Sequence, residues 1–391
     1  MKFEKIPYGY HEVTKDDISN VVRVLENNPL TQGTEVPEFE RLVNNKVNSK
    51  FSVAVNSATS ALHLACISLG LKKGDFLWTT PITFVSSANC ALFCGASIDF
   101  VDIDLKTGLM SVDLLKKKLI KAKAKNKLPK VVVPVHLGGT SCNMREIYKL
   151  SLEFNFRIIE DASHAIGGSY ENTKVGSCTY SDITVFSFHP VKIITTGEGG
   201  LLTTNNKELY DQISILRSHG IVKDPEKFLI KNSNPWHYEQ QILGFNFRIS
   251  ELNAALGNSQ IKRLESIVNK RNEILLRYKT RLKNLPLRFL DIPSNVKSSV
   301  HLGIVSLINK SSEFHKNVFM RLHKKNIFVQ LHYQPVHLNP FYAQLGFSIG
   351  DFPNSEKYAT SSLSLPLYPT LEDDKFEYVV KNLNSIINDE E

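Results

Sequence analysis

Hydrophobic and polar positions follow two different periods along the first two-thirds of the chain. Short apolar runs, several of them rich in β-branched residues, separate longer segments with apolar positions every three or four residues. The runs that predict strands are 52–55, 76–80, 97–103, 130–137, 156–161, 183–189 and 200–204, and helical patterns occupy 58–70 and part of 137–156. This βαβ order predicts an α/β fold in which helices cover a mainly parallel sheet.

The pattern changes after residue 250. Apolar positions at helical spacing over 250–282 predict a long helix, and strands and helices then mix in a shorter unit from about 285 to 391. A chain of 391 residues is long enough for one large and one smaller domain. We therefore predict a large N-terminal domain over 1–260 and, over 261–391, a linking helix with a small α+β domain.

Composition and charge narrow the function classes. The 47 basic residues exceed the 39 acidic ones, but the excess is concentrated in 116–130, which has the pattern of an exposed helix face. No nucleic-acid-binding motif accompanies it, so we predict no nucleic-acid partner, whereas a phosphorylated small molecule would suit the balance.

Cysteine usage and hydropathy suggest where the protein works. The five cysteines are odd in number and contain no CxxC pair, which argues against a disulfide framework or a zinc site. No segment approaches the roughly 20 apolar residues of a membrane span, and the N-terminus lacks an apolar leader. We predict no metal, no membrane contact and a reducing, cytoplasmic compartment.

Polar residues follow two of the predicted strands, where an open parallel sheet binds its ligands. The stretch 56–60 (NSATS) places small hydroxyl residues at a helix start, which suits either a phosphate or simple helix capping. Asp161 ends the strand 156–161, and His164 follows it. An aspartate at such a position can pair with a protonated ring nitrogen, and it can equally cap a helix.

Lys192 has an unusual setting for a lysine. Its neighbours are Val191, Ile193 and Ile194, in the stretch SFHPVKIITTGEGG. An ammonium in an apolar cleft has a lowered pKa, so its amine is available to attack an aldehyde. The alternative is a lysine that extends to the surface. A phosphate-binding P-loop is disfavoured because the lysine precedes the glycines.

A fourth candidate lies in the small domain. The segment 331–337 (LHYQPVH) follows a predicted strand with aromatic and imidazole side chains, and it predicts either a wall over a pocket or a turn around Pro335.

One cofactor accounts for all four features together, namely pyridoxal 5′-phosphate (PLP). Its aldehyde suits the lysine, its ring nitrogen the aspartate and its phosphate the helix start.

The same residues carry a resemblance over nearly the whole chain. The sequence closely resembles the sugar aminotransferases of the DegT/DnrJ/EryC1/StrS family, which adopt PLP fold type I, like aspartate aminotransferase. The motifs follow in the family's order: NSATSALHLA, TTPITFVSSAN, IEDASHAIGGSY, SFHPVKIITTGEGG, LRSHG, GFNFRISELNAALG and HYQPVHL. The segments LTQG (30–33), NSATSAL and TTPITFV also resemble the branch that makes pseudaminic acid precursors, which shares Ala58 where many relatives have glycine.

The resemblance implies a role for each cofactor contact. Lys192 is implied as the Schiff-base lysine, Asp161 as the partner of the ring nitrogen and His164 as the neighbour of the phenolic oxygen. Phe84 is implied to stack on the ring, and the phosphate is implied to be held by Thr59, Ser60 and Ser187. Ser57 and Ala58 are implied as further cofactor contacts. Asn246 resembles the asparagine that family members contribute across a homodimer interface, so the site would need two subunits.

The resemblance also implies the substrates. The expected contacts of the sugar nucleotide are Tyr8, Leu30, Thr31, Gln32, His189, His332, Tyr333 and His337. The expected reaction moves the amino group of L-glutamate to C4 of a UDP-linked 4-keto-6-deoxy-N-acetylhexosamine, with pyridoxamine phosphate as an intermediate. The alternatives are another nucleotide-linked keto-sugar (C3 or C4; UDP, dTDP or GDP), a PLP-binding regulator without turnover, and an unrelated nucleotide-binding α/β protein.

Overall fold

A computed structural model describes residues 3–231 and 234–389. Its α-helices are α1 (Lys15–Asn27), α2 (Glu35–Val47), α3 (Ala58–Ser68), α4 (Ser86–Phe93), α5 (Val112–Ala124), α6 (Met144–Phe154), α7 (Lys207–Leu216), α8 (Glu251–Gln260), α9 (Leu264–Arg281), α10 (Ser312–Lys324), α11 (Pro340–Ala343), α12 (Pro353–Ala359) and α13 (Asp373–Asn388).

The strands of the described residues are mostly short. They are β1 (Ile6–Pro7), β2 (Phe51–Val55), β3 (Phe76–Thr79), β4 (Ser97–Phe100), β5 (Val131–Val132), β6 (Arg157–Asp161), β7 (Ser169–Tyr170), β8 (Thr173–Lys174), β9 (Ile183–Ser187), β10 (Gly200–Thr204), β11 (Ile221–Val222), β12 (Glu239–Gln240), β13 (Leu287–Phe289), β14 (Val296–Lys297), β15 (Gly303–Leu307), β16 (Ile327–Phe328) and β17 (Ser362–Leu365).

The central sheet of the described residues has seven strands in the order β2-β10-β9-β6-β5-β3-β4. Its neighbours pair in parallel except β10, which runs antiparallel to both β2 and β9. The carboxyl ends of β2, β6 and β9 therefore share one edge, and β10 starts at that edge, where Gly200 is in register with Val55 and Ser187. The predicted α/β class with a mainly parallel sheet is confirmed.

A second apolar core lies in the C-terminal part of the chain. Residues of α9, α10 and α13 pack there against β15 and β17, with Val305, Leu322 and Val379 fully buried. Ile6 belongs to this core because β1 pairs with β16. We keep the predicted domain boundary after residue 260 as a proposal, and we note that a 3₁₀ turn begins at Ile261.

Two predicted elements differ from the structure. The strand predicted over 130–137 is only Val131–Val132, because Pro134 has no N–H to continue the ladder. The helix predicted over 250–282 is divided into α8 and α9 by the 3₁₀ turn Ile261–Arg263. Gln260, which precedes this turn, and Arg263, which ends it, both donate to Asp17 of α1, at 2.8 and 2.7 Å. Helical periodicity does not encode such a long-range contact.

Throughout 3–231 and 234–389, no helix has the length and apolar character that a membrane crossing requires.

Candidate active site

A cavity of about 390 Å³ opens at the shared edge of β2, β6 and β9. Most residues that the sequence predicted as contacts line it, although they come from six separate stretches of the chain. They are Tyr8, Ser57, Ala58, Thr59, Phe84, Asp161, His164, Ser187, His189, Lys192, His332 and Tyr333. The cavity is large enough for a cofactor-sized ligand.

Lys192 lies in the connection between β9 and β10. Protein surrounds its amine, although part of the side chain is accessible from the cavity. Burial lowers the pKa of Lys192 to about 8, and the negative charge of Asp161 acts in the opposite direction. Near neutral pH, a larger fraction of this amine is therefore unprotonated and nucleophilic than in an exposed lysine.

Asp161 is the last residue of β6 and is 5% exposed. Its main chain is fixed on one side, since its N–H donates to Pro134 at 3.0 Å and its carbonyl accepts from His136 at 3.0 Å. Its carboxylate accepts from the Ser87 hydroxyl at 2.6 Å and from the Ser163 N–H at 3.1 Å. These contacts hold a negative group at one end of the cavity.

The opposite end of the cavity is the start of α3. Ser57 caps this helix, and its hydroxyl accepts from the N–H of Ser60 at 3.1 Å. The first N–H groups of a helix have no intrahelical partner and attract an anion. Gly200 of β10 packs directly against this helix start. A Cβ at Gly200 would come within 2.4 Å of the carbonyl carbon of Ser57 and 2.5 Å of the nitrogen of Ala58. This end can hold a phosphate.

Three of the histidines that line the cavity lie close enough to Lys192 for its charge to contribute to lowering their pKa values. Burial lowers the pKa of His164 well below its usual range, and the charge of Lys192 contributes. Burial also lowers the pKa of His332 to about 3, with Lys192 again contributing, and lowers the pKa of His301 far below normal. The ring centroids of His164 and His301 are 4.5 Å apart. All three imidazoles are therefore neutral near pH 7.

Aromatic rings form the walls of the cavity. Phe84 is 58% exposed, and its ring centroid lies 6.2 Å from that of Tyr333. Tyr8 packs on His332 with centroids 4.7 Å apart, and its carbonyl accepts from the N–H of Leu367 at 3.0 Å. The N-terminal segment therefore contacts the C-terminal part of the chain beside the cavity.

Some predicted contacts lie outside the cavity lining. The hydroxyl of Ser60 is directed away to Asn56, at 2.7 Å. The others are elsewhere: exposed Leu30, Thr31 and Gln32, exposed Asn246, and fully buried His337. The Nε2 of His337 lies 3.1 Å from Glu356. The predicted sugar contact of His337 stays a prediction, and this geometry does not support it.

Several lining residues were not predicted from the sequence. They are Leu62, Thr83, Ser86, Ser87, Val135, Ser163, Val191, Glu198, Gly199 and His301. The hydroxyl pair Ser86–Ser87, two residues after Phe84, was a signal that could have been read, because serines at a helix start often make side-chain hydrogen bonds. His301 carries no comparable signal in a single sequence, since it precedes an ordinary apolar strand.

The arrangement suits a phosphorylated aromatic aldehyde. The helix start can bind the phosphate, the carboxylate of Asp161 can pair with a ring nitrogen, and the amine of Lys192 can react with the aldehyde carbon. Gly200 leaves the space at the phosphate end that any side chain would fill. Neutral imidazoles next to the lysine add no further positive charge that would have to be compensated.

Comparisons with known proteins agree with this chemistry. The sequence profile of the DegT/DnrJ/EryC1/StrS aminotransferase family matches residues 11–384. The UDP-4-amino-4,6-dideoxy-N-acetyl-β-L-altrosamine transaminase of Campylobacter jejuni (serotype O:23/36) is 37% identical over 385 residues, which are 98% of this chain and 97% of that protein.

Solved structures are similar over the full length. Helicobacter pylori PseC, an aminotransferase of pseudaminic acid biosynthesis, superposes with a TM-score of 0.91 at 30% identity, over 99% of this chain and 100% of that one. The PLP form of Spr1654 from Streptococcus pneumoniae, named as a candidate sugar aminotransferase, gives a TM-score of 0.89 at 27% identity, over 98% and 99% of the two chains.

Proposed function

The chain belongs to the DegT/DnrJ/EryC1/StrS aminotransferase family, and from this premise we propose that it transfers the amino group of L-glutamate to C4 of a UDP-linked 4-keto-6-deoxy-N-acetylhexosamine. It is a nucleotide-sugar aminotransferase, and its cofactor is PLP. The observation that carries the finer proposal is the 37% identity over 98% of the chain to the Campylobacter jejuni transaminase. The pathway that we propose is pseudaminic acid biosynthesis.

We propose contacts between particular cavity residues and each part of PLP. We assign the aldehyde to Lys192, the ring nitrogen to Asp161 and the phenolic oxygen to His164. Phe84 would cover one ring face, and the phosphate would be held by the start of α3 with Ser57, Ala58, Thr59 and Ser187. The phosphate contact of Ser60 stays a prediction, since its hydroxyl donates to Asn56. The supporting observations are the lowered pKa of Lys192, the buried carboxylate of Asp161 and the close approach of Gly200 to the helix start.

PLP, when bound, supplies an aldehyde that accepts the amino group and a protonated ring that withdraws electrons from the reacting carbon. The chain supplies the proton transfers. We propose that the amine of Lys192 removes the proton from the α-carbon of glutamate. In the second half-reaction it delivers a proton to C4 of the sugar. A lysine with a pKa of about 8 suits both steps, because a group near the working pH can accept and release protons.

The balance of the two half-reactions is simple. Glutamate becomes 2-oxoglutarate, whose new keto oxygen comes from one water. The C4 carbonyl of the sugar becomes an amine and its oxygen leaves as one water, so water cancels over the full cycle. Tyr8, His189, His332 and Tyr333 line the same cavity and are the proposed sugar contacts. Leu30, Thr31 and Gln32 remain proposed contacts of the nucleotide, although they lie outside the lining.

We propose a homodimer as the working form. Asn246 is exposed and lies outside the cavity lining, which suits a residue that reaches the phosphate of a second subunit. Large apolar side chains near it are exposed as well, with Leu243 at 84% and Trp236 at 78%. A second copy would cover them. A cytoplasmic location remains part of the proposal, and the five thiol cysteines suit a reducing compartment.

The proposal is tested with a panel of nucleotide-linked 4-keto sugars and L-glutamate. Formation of 2-oxoglutarate and of the 4-amino sugar is measured together with the configuration at C4. Preferred turnover of the UDP-linked 4-keto-6-deoxy-N-acetylhexosamine supports it. Preference for a dTDP-linked sugar would contradict the proposed substrate, but the assignment to the nucleotide-sugar aminotransferases would still hold. PLP binding without turnover of any keto-sugar would contradict the enzymatic proposal.

A further inference from the structure

The turn that leads into α4 is hydrogen-bonded to both ends of the cavity. Phe84, just before α4, lines the cavity, and so do Ser86 and Ser87, the first two residues of α4. The hydroxyl of Ser86 lies 2.7 Å from that of Thr59, at the start of α3. The hydroxyl of Ser87 lies 2.6 Å from Oδ2 of Asp161. One helical turn therefore contacts the phosphate-binding end, the ring wall and the carboxylate.

The direction of the hydrogen bonds around Ser87 is fixed. A carboxylate can only accept, so the single hydroxyl proton of Ser87 is donated to Asp161. Thr83 lies one turn earlier, with its Oγ1 2.7 Å from the Ser87 oxygen. Because the proton of Ser87 is already committed, Thr83 must donate to Ser87. Thr83 and Ser87 are 2% and 0% exposed, so both hydrogen bonds are buried.

The two hydrogen bonds, from Thr83 to Ser87 and from Ser87 to Asp161, form a relay. This relay acts on the carboxylate of Asp161, a residue whose main chain is already fixed. The backbone of Asp161 is held by Pro134 and His136, and its Oδ1 accepts from the N–H of Ser163. The Ser87 hydroxyl is the side-chain donor that sets the remaining rotation of the carboxylate. A hydrogen bond to a charged acceptor is stronger than one between neutral groups, and inside a buried site it also orients the acceptor.

We propose that Ser87 is a positioning residue for the cofactor, and that the Thr83–Ser87–Asp161 relay holds the carboxylate in the orientation in which it binds the ring nitrogen of PLP. This inference rests on the proposed role of Asp161. It assigns no contact with the sugar to Ser87 or Thr83. Loss of the relay therefore weakens the binding of PLP and lowers kcat, and it leaves the KM for the keto-sugar unchanged.

The test measures the dissociation constant of PLP with the apoprotein by absorbance titration. Ser87→Ala removes the donor to the carboxylate and is expected to raise this constant about tenfold. Thr83→Val keeps the shape of the side chain and removes only its hydroxyl, so an increase of about threefold is expected. Thr83→Ser restores the hydroxyl and should return the constant to within about twofold of the wild type.

A matched control separates this role from stability alone. The hydroxyl of Thr79 is equally buried and donates to the carbonyl of Val133 at 2.8 Å, in β3 of the same sheet. Thr79→Val should lower the melting temperature of the apoprotein and leave the dissociation constant of PLP unchanged. If Ser87→Ala behaves in the same way, the relay is only structural and the inference is overturned.

Two further outcomes keep the test decisive. If Ser87→Ala does not fold, the pair Thr83→Val and Thr83→Ser decides, and equal dissociation constants in both would overturn the inference. Wild-type protein that binds no PLP would contradict the proposed function itself. Wild-type binding of PLP with unchanged binding by Ser87→Ala would contradict only the relay.

Discussion

The hydroxyl oxygen of Tyr333 lies 3.1 Å from Nε2 of His164. On the other side of the ring, Nδ1 of His164 accepts from the N–H of Gly138 at 3.3 Å. A main-chain N–H can only donate, so the proton of this neutral imidazole is on Nε2 and is donated to Tyr333. The hydroxyl proton of Tyr333 is then free for an acceptor inside the cavity.

The first prediction concerns Tyr333→Phe. The change removes a donor that faces the cavity and leaves Nε2–H of His164 without its partner. We expect kcat to fall about tenfold, because a hydrogen bond in a buried site is lost. The melting temperature should fall by only about 2 °C, because one unpaired donor is a small part of the unfolding free energy of a large chain. Steady-state kinetics and thermal denaturation measure the two effects.

A matched variant is Tyr170→Phe. Its hydroxyl is also in a hydrogen bond, with Asn143 at 2.8 Å, but outside the cavity. It should leave kcat unchanged. Equal kcat values for wild type and Tyr333→Phe would mean that the Tyr333 hydroxyl donates to nothing during the reaction.

The second prediction concerns the pH dependence of PLP capture. Burial lowers the pKa of Lys192 to about 8, and only the unprotonated amine attacks an aldehyde. The rate at which the apoprotein captures PLP should therefore rise with pH and level off above a midpoint near 8. Stopped-flow absorbance measures this rate. A midpoint near 10, the usual value for an exposed lysine, would show that burial does not control the amine.

The third prediction concerns the covalent site. Borohydride reduction should fix the cofactor to the wild-type chain and to Lys174→Ala, in which an exposed lysine is removed, but not to Lys192→Ala. Lys192→Ala should lose transamination and keep its fold, because the deletion removes an ammonium that burial disfavours. Mass spectrometry of the reduced proteins and circular dichroism test both parts. Transamination by Lys192→Ala at the wild-type rate would refute the proposed mechanism.

The fourth prediction concerns the space at the phosphate end. In Gly200→Ala the new Cβ would come within 2.4 Å of the main chain of Ser57, which cannot move away as a side chain could. We expect a loss of about 3 kcal/mol in the free energy of unfolding, together with weaker PLP binding. Gly9→Ala is the control, since its Cβ would meet only Val191 at 3.8 Å. Equal unfolding curves for the two variants would contradict the close approach of Gly200 to the main chain of Ser57.

The parts of the site that could be predicted are those carried by local sequence. Asp161 ends an apolar strand, Ser57 precedes a helix, and Lys192 has apolar neighbours, so each could be placed at the sheet edge from the order of the elements. The alternation of strand and helix patterns predicted the mainly parallel sheet, because this alternation is also a property of the local sequence. Together these features indicated PLP and its main contacts, and the resemblance to a family added the nucleotide-sugar substrate and further contacts such as Phe84 and Asn246.

The remaining parts depend on contacts between distant segments. His301 reaches the cavity because its segment packs against a distant turn, where its N–H donates to the carbonyl of Gly138 at 2.8 Å. The bond from Ser87 to Asp161 joins residues 74 positions apart. The division between α8 and α9 coincides with contacts to Asp17, far away in sequence. His337 follows a polar and aromatic stretch, yet tertiary packing buries it beside Glu356. None of these is encoded in local periodicity.

The last prediction concerns the second subunit. If Asn246 completes the cavity of a partner, Asn246→Ala should weaken PLP binding although the residue lies outside the lining of its own cavity. Mixing this variant with inactive Lys192→Ala should restore activity, because a mixed dimer holds one site with both residues intact. Random exchange of subunits makes half of the dimers mixed, so about a quarter of the wild-type activity is expected. No gain over the sum of the separate variants, with exchange verified by mass spectrometry, would place Asn246 outside the working site.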